Sequence, residues 1–275
     1  MPDGRRSLDL LRACHPEPAA AVTLLTCLLA LAAGRGWGTP LLGLAVAAGQ
    51  LGVGWSNDYL DRELDRRSGR ADKPLATAHS PAPNAVRAAA MTALVAAVPL
   101  SLAVGPGFAA AHLGAVACAL AYNAGLKARA VSVLPYAVAF GLLPVAVAAS
   151  LPTPHRAPAW AIAAGALVGA GGHFTQALPD IPTDRLQDIR GLPQLIGQTA
   201  SAVAAATLLM AANLVVALAA DPGGAAPVAH IAIAAALTTG IVGAAASGHP
   251  RAAFRLTLAS AALAVVALLA GGSRL

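Results

Sequence analysis

Long apolar runs separated by short polar stretches set the pattern of this chain. Nine runs stand near Ala19 to Ala33, Leu41 to Ser56, Ala85 to Val104, Phe108 to Leu126, Val131 to Ser150, Ala157 to Ala177, Thr199 to Ala220, Ala226 to Ser247 and Arg251 to Ala270. Each is about 15 to 22 residues long, close to what a helix needs to cross about 30 Å of hydrocarbon. The runs are continuous rather than alternating, and lipid offers no partner to an unpaired backbone group. Helices, not strands, are therefore predicted throughout, and the fold class is all-α.

Composition agrees. The 275 residues are 57% hydrophobic and only 11% charged, against roughly 25% charged in an ordinary soluble domain, and the mean hydropathy is +0.68. Acidic residues Asp3, Asp9 and Glu17 precede the first run and no small-residue cleavage site follows it, so it reads as a retained span rather than a signal peptide. The expected organisation is a cytoplasmic segment over residues 1–18 and one transmembrane domain over 19–275. Cys14, Cys27 and Cys118 have no metal-like spacing and read as small buried hydrophobes.

Charge supplies the orientation. With nine spans and the N-terminus in the cytoplasm, only Arg35, Arg156 and Arg274 of the Lys and Arg residues fall outside, as the positive-inside rule requires of a cytoplasmic-membrane protein. The net charge of +6 then reflects topology and not nucleic-acid binding, and a basic inner rim suits anionic lipid and anionic substrate.

Acidic residues are the sharper signal, because topology gives them no strong side preference. All except Asp221 lie inside, and two groups are dense: Trp55-Ser-Asn-Asp-Tyr-Leu-Asp-Arg-Glu-Leu-Asp65 and Asp180-Ile-Pro-Thr-Asp-Arg-Leu-Gln-Asp188. If the second span continues as a helix, Asn57, Asp61 and Asp65 share a stripe, with Asp58 within about 100° of it. Unpaired, such neighbours repel. A hard divalent cation removes the penalty, and Mg²⁺ binds through a few carboxylates plus waters and substrate phosphate oxygens. Asp180, Asp184 and Asp188 repeat the step of four, although Pro182 starts or bends a helix there. The competing explanation is a solvated acidic face paired to Arg62, Arg66, Arg185 and Arg190.

Other polar groups converge on the same level. Arg67, Arg70 and Lys73 follow the first acidic group, and Lys127 and Arg129 follow Tyr122 and Asn123 at the inner end of the fourth span. Cations beside carboxylates suit a metal–diphosphate complex. Trp55, Tyr59, Tyr122 and Phe174 stand near inner span ends, where an interfacial belt and a ring beside a developing cation are both open. His173 and Gln176 share a face with Asp180, and His173 is a candidate acceptor-binding residue or base. Gln50, His112, Asn213 and His230 suit hydrogen bonds between helices.

These residues resemble the UbiA superfamily of intramembrane prenyltransferases. Asn57-Asp58-Tyr-Leu-Asp61-Arg-Glu-Leu-Asp65 looks like its first motif, NDxxDxxxD, and Arg70-Ala-Asp-Lys73-Pro74-Leu75 is similar to the basic segment that trails it. Tyr122-Asn-Ala-Gly-Leu-Lys127 resembles the end of the family's fourth helix, and Gly191-Leu-Pro-Gln-Leu-Ile-Gly197 its closing segment. The second motif departs from the usual steps of three and four: alignment from its last acid selects Asp184 and Asp188, and from its first Asp180 with Thr183 in an acidic place. The resemblance implies nine helices bundled around a central cavity that opens to the cytoplasmic side. It implies Mg²⁺ on Asn57, Asp58, Asp61, Asp65, Asp180, Asp184 and Asp188, diphosphate held by Arg67, Arg70, Lys73 and Lys127, and chemistry at Asp61, Asp184, Lys127 and Tyr122.

The implied reaction is ionisation of an allylic isoprenoid diphosphate and capture of the cation by a lipophilic or aromatic acceptor in a water-free pocket. An intramembrane terpene cyclase of the same fold would need no acceptor. A transporter, the reading from another class, should carry its charges at broken helices near mid-membrane, and here they stand at cytoplasmic helix ends.

Overall fold

In a computed structural model of the chain, residues 3–67, 69, 73–76, 82–186, 189–220 and 226–270 are described. Among them the structure is helical without a strand. The helices are α1 Asp3–Arg12, α2 Pro16–Ala32, α3 Thr39–Arg67, α4 Pro83–Val104, α5 Pro106–Asn123, α6 Val133–Ala149, α7 Ala159–Ala177, α8 Ile181–Leu186, α9 Leu192–Ile196, α10 Gln198–Ala220, α11 Ala226–Ala246 and α12 Pro250–Ala270.

The nine long helices reproduce the nine apolar runs one for one. Helices α4, α10, α11 and α12 are long and apolar enough by themselves to cross a membrane, and α2 and α6 are shorter apolar helices. Proline opens α2, α4 and α5 within their first two positions, where its missing N–H costs nothing. Pro99 and Pro144 lie inside α4 and α6, Pro99 exposed and Pro144 buried.

Sequential helices pack side by side, α3 on α4, α5 on α6 and α6 on α7, while α10 returns against α7 and α12 against α2, which closes the bundle. One core cluster joins Leu29, Leu42, Val46, Phe108, Val147 and Leu268, and a second joins Phe174, Leu178, Ile181, Leu209 and Ile241. Hydrogen bonds between helices supplement it. Asn213 Nδ2 donates to Ser260 Oγ at 2.9 Å, Thr257 Oγ1 to Thr175 Oγ1 at 3.1 Å, and Ser101 Oγ lies 2.8 Å from His112 Nδ1. Asn213 and His112 thus take the interhelical role expected of them. All three cysteines are free.

Helix α3 positions the site. Its 29 residues make a rod of about 43 Å, so it outruns its apolar segment and carries the Asn57–Asp65 stripe on a continuation of the same helix. The α1–α2 elbow docks onto it: the Trp55 indole donates to Leu10 O at 2.8 Å, and a Cβ on Gly54 would overlap the Cys14 carbonyl oxygen. Ala13, Leu75 and Val86 are buried together there, with Leu10, Trp55 and Tyr59 against them. Trp55 and Tyr59 therefore anchor the N-terminal segment.

Candidate active site

Both acidic groups open onto one cavity. Asn57, Asp58, Asp61 and Asp65 from α3 line it together with Asp180, just before α8, and Thr183 and Asp184 within α8. Its volume is about 590 Å³, and it continues between apolar helices as far as Val46, Trp160 and Leu268. Along α3, Asp61 and Val46 are about 22 Å apart at 1.5 Å per residue. Arg70 and Asp188, two of the sequence candidates, lie outside the described residues.

Asp58 and Asp61 take their cations from other parts of the chain. Lys127, past the end of α5, donates to Asp61 Oδ1. Lys73 Nζ donates to Asp58 Oδ1 at 2.8 Å, and His15 Nε2 lies 2.9 Å from the same oxygen. The arginines at the end of α3 are engaged locally: Arg66 and Arg67 with Glu63, and Arg62 with its own turn, 4.3 Å over the Tyr59 ring and donating to Tyr59 O. Glu63 with Arg66 and Arg67 thus makes an exposed face paired within one helix, whereas Asp58 and Asp61 pair across the fold. Arg67 is 75% exposed and stands apart from the cavity wall.

Asn57 is oriented by a network. Its Nδ2 donates to Asp61 Oδ2 at 3.0 Å and to Asn123 Oδ1 at 3.3 Å, while Asn123 Nδ2 donates to Val53 O at 3.0 Å and Ser56 Oγ at 2.9 Å. The amide nitrogen is thereby committed, and the carbonyl oxygen of Asn57 is left as a hard donor. Asp58 is 1% exposed. Burial would push its carboxyl up, but the His15 hydrogen bond and the Lys73 charge outweigh that and hold it below the ordinary carboxylate range.

The second acidic group starts a helix. Asp180 precedes α8, and the Asp184 N–H donates to Asp180 O at 2.8 Å, so Pro182 falls in the first turn, where it costs no hydrogen bond. Gln194 on α9 donates from Nε2 to Asp184 Oδ2 at 2.7 Å, and Arg185 Nε clamps Gln194 O at 2.7 Å. A Cβ on Gly191 would overlap the Lys127 carbonyl oxygen, so this segment packs directly on the backbone that bears Lys127. Leu192 N donates to Ser132 Oγ at 2.9 Å, and that hydroxyl lies 3.1 Å from His173 Nε2.

Above the acids stands a group of rings. Tyr122 meets Tyr136 edge-on with centroids 5.0 Å apart and His173 at 5.6 Å, and Tyr136 stacks on Phe140 at 6.4 Å. The Tyr136 hydroxyl donates to Gln176 Oε1 at 2.6 Å. Tyr122, Tyr136, Phe140 and Gln176 line the cavity, whereas His173 is 2% exposed and faces Ser132.

Whether this donor set fits a divalent cation is a matter of its chemistry. Among the described residues no three His, Cys, Asp or Glu side chains form a ready-made metal group. What the cavity offers instead is two sets of hard oxygens on one space, with ammonium groups beside them. That suits Mg²⁺, which is usually held by one or two carboxylates together with substrate phosphates rather than by a cage of protein ligands. His15 and Ser132 give no signal in the sequence, since single polar residues stand outside any spacing, and Gln194 is marked there only as part of the closing segment.

The family model for the UbiA prenyltransferase family matches residues 20–260. No curated protein matches the chain. Among solved structures, an apo UbiA homolog from Aeropyrum pernix K1 is 18% identical, with a TM-score of 0.74 over 92% of this chain and 97% of that one. A UbiA homolog from Archaeoglobus fulgidus bound to DMAPP and Mg²⁺ is 18% identical, with a TM-score of 0.64 over 94% and 99%. A digeranylgeranylglyceryl phosphate synthase is 13% identical, with a TM-score of 0.64 over 98% and 100%.

Proposed function

Because the chain belongs to the UbiA prenyltransferase family, we propose that it is a Mg²⁺-dependent intramembrane prenyltransferase that ionises an allylic isoprenoid diphosphate and passes the prenyl group to an aromatic acceptor. In this reading all nine long helices cross the cytoplasmic membrane, the N-terminus is cytoplasmic, and the cavity opens on that side. The observation that carries it is the meeting of both acidic groups and two lysines at one end of a cavity whose other end is apolar.

Asn57, Asp61, Asp180 and Asp184 hold the metal, and Lys127 and Lys73 donate to the diphosphate oxygens. The bound cation supplies charge neutralisation where negative charge develops as the allylic C–O bond breaks. Lys127, adjacent to Asp61, holds the leaving group against that carboxylate, and Asn123 keeps the Asn57 oxygen in place. The rings of Tyr122 and Tyr136 face the carbon that becomes positive, which favours the cation by about 0.5 to 2 kcal/mol. The apolar walls lodge the tail and keep water from the cation.

Support for the metal comes from the Archaeoglobus fulgidus homolog bound to Mg²⁺ with DMAPP or with GPP. The test is incubation of the purified protein in detergent with Mg²⁺ and dimethylallyl, geranyl, farnesyl and geranylgeranyl diphosphates, with Asp61→Ala as control. Diphosphate release should require Mg²⁺ and vanish in the variant; undiminished turnover there removes the metal assignment. Hydrocarbon or terpene alcohol formed without acceptor identifies a cyclase instead.

A further inference from the structure

Three residues far apart in sequence meet at the cavity mouth: His15 in the elbow between α1 and α2, Asp58 on α3, and Lys73 just before a short 3₁₀ turn at Pro74–Ala76. Lys73 Nζ is 2.8 Å and His15 Nε2 is 2.9 Å from one and the same oxygen, Asp58 Oδ1, and the two nitrogens are 3.1 Å apart. We propose that His15 is a positioning residue for the diphosphate site, which shares Asp58 with Lys73 and so keeps the Lys73 ammonium turned toward the ligand. The inference rests on the prenyl diphosphate reading above.

One ring nitrogen cannot donate to Asp58 and accept from Lys73 at the same time. A lone pair on Nε2 would face the lone pairs of a carboxylate, so the stable arrangement has Nε2–H donating to Asp58. Asp58 Oδ1 is then shared by two donors, and two of the three ammonium hydrogens of Lys73 remain for the cavity that Lys73 lines. Without the ring, a carboxylate 1% exposed is left with the ammonium as its one donor, and the ion pair tightens at the expense of the ligand.

The backbone supports the same assignment. His15 has φ 55° and ψ 66°, a left-handed conformation that a histidine seldom adopts and that surrounding structure must hold in place. The docked elbow does so through Trp55 on Leu10 and through the approach of Cys14 to Gly54. Buried Ala13 packs with Leu75, two residues beyond Lys73, so the elbow and the segment bearing the lysine share one packed cluster. The strained turn delivers the imidazole to Asp58.

Position 15 permits a clean separation of ring from backbone. Glycine adopts the left-handed conformation without strain, so His15→Gly keeps the elbow and deletes the ring. Unchanged melting by differential scanning fluorimetry should confirm that the fold survives. The KM for geranyl diphosphate should rise about tenfold, with kcat near the wild-type value, as expected for loss of a charge-assisted hydrogen bond. Binding of inorganic pyrophosphate with Mg²⁺, measured by calorimetry, should weaken in parallel. His15→Asn, which tolerates the same backbone and retains a donor, should recover part of the loss. In a Lys73→Met background His15→Gly should add nothing further. Wild-type pyrophosphate affinity in His15→Gly, or losses that add independently to those of Lys73→Met, would overturn the assignment. A wild-type protein that binds pyrophosphate through His15 yet turns over no prenyl diphosphate would remove the enzymatic reading and leave the positioning role standing.

Discussion

The ammonium of Lys127 donates to one oxygen of Asp61 while the amide of Asn57 donates to the other. The two residues are 66 positions apart, and the contact joins the end of α3 to the turn after α5. A cation thus stands on the carboxylate that, in the proposed reaction, shares the metal and the diphosphate.

That arrangement predicts opposite movements of two constants. Lys127 repels a divalent ion at Asp61 and attracts a diphosphate. In Lys127→Met the Mg²⁺ concentration for half-maximal activity should fall by about threefold to tenfold, while the KM for prenyl diphosphate rises. Mg²⁺ titrations at fixed substrate, repeated at several diphosphate concentrations, separate the effects. A rise in both constants would remove Lys127 from the metal's neighbourhood.

Tyr122 should act through its ring and not its hydroxyl. Tyr122→Phe keeps the π face toward the cavity and should retain most of kcat. Tyr122→Leu should lower kcat about two- to thirtyfold, from a cation–π contribution of about 0.5 to 2 kcal/mol, with little change in KM. Single-turnover rates with geranyl diphosphate would show the split.

Gly191→Ala should damage the site from behind. The added methyl meets the Lys127 carbonyl oxygen and lies 2.5 Å from Gln194 Oε1, and backbone cannot yield as a flexible side chain would. Overpacking of this kind costs about 1 to 3 kcal/mol. A lower melting temperature together with a loss of kcat is expected; normal melting with normal kcat would mean that the segment after α8 is free to retreat.

Gly54→Ala tests the docking of the elbow. Its methyl would collide with Cys14 O, which forces α1 away from α3. Limited trypsin digestion in detergent should cleave after Arg12 faster than in the wild type, and the KM for prenyl diphosphate should rise as His15 leaves Asp58.

The long helices are legible because each follows a continuous rather than alternating apolar run; α4 is expected to end at Val104 and does. The extension of α3 was legible for a second reason. Asn57, Asp61 and Asp65 recur in steps of four, which only a helix places together, and α3 runs to Arg67. Helix α8 is signalled only by the step of four and by Pro182, which starts or bends a helix there, and α9 leaves no trace, since five residues carry less than two turns of pattern. Asp58 was grouped with the metal candidates on helical geometry, yet it meets His15, a residue 43 positions earlier. No spacing rule reaches that far, and the modest left-handed preference of histidine is too weak to mark one position. Trp55 and Tyr59 were read as belt or cation-facing rings because the elbow they hold was invisible in a polar N-terminal stretch.

If α3 crosses the bilayer as proposed, its uninterrupted course ties the proposed site to membrane thickness. Its apolar segment and its carboxylates belong to one rod, without a hinge loop to absorb a change in height. A hydrocarbon layer thinner than the span is met in part by a greater helix tilt, and such a tilt would shift Asn57 and Asp61 against Asp180 and Asp184, which are carried by separate elements. In the proposed reading, lipid acyl-chain length would thereby act on the gap between the two acidic groups.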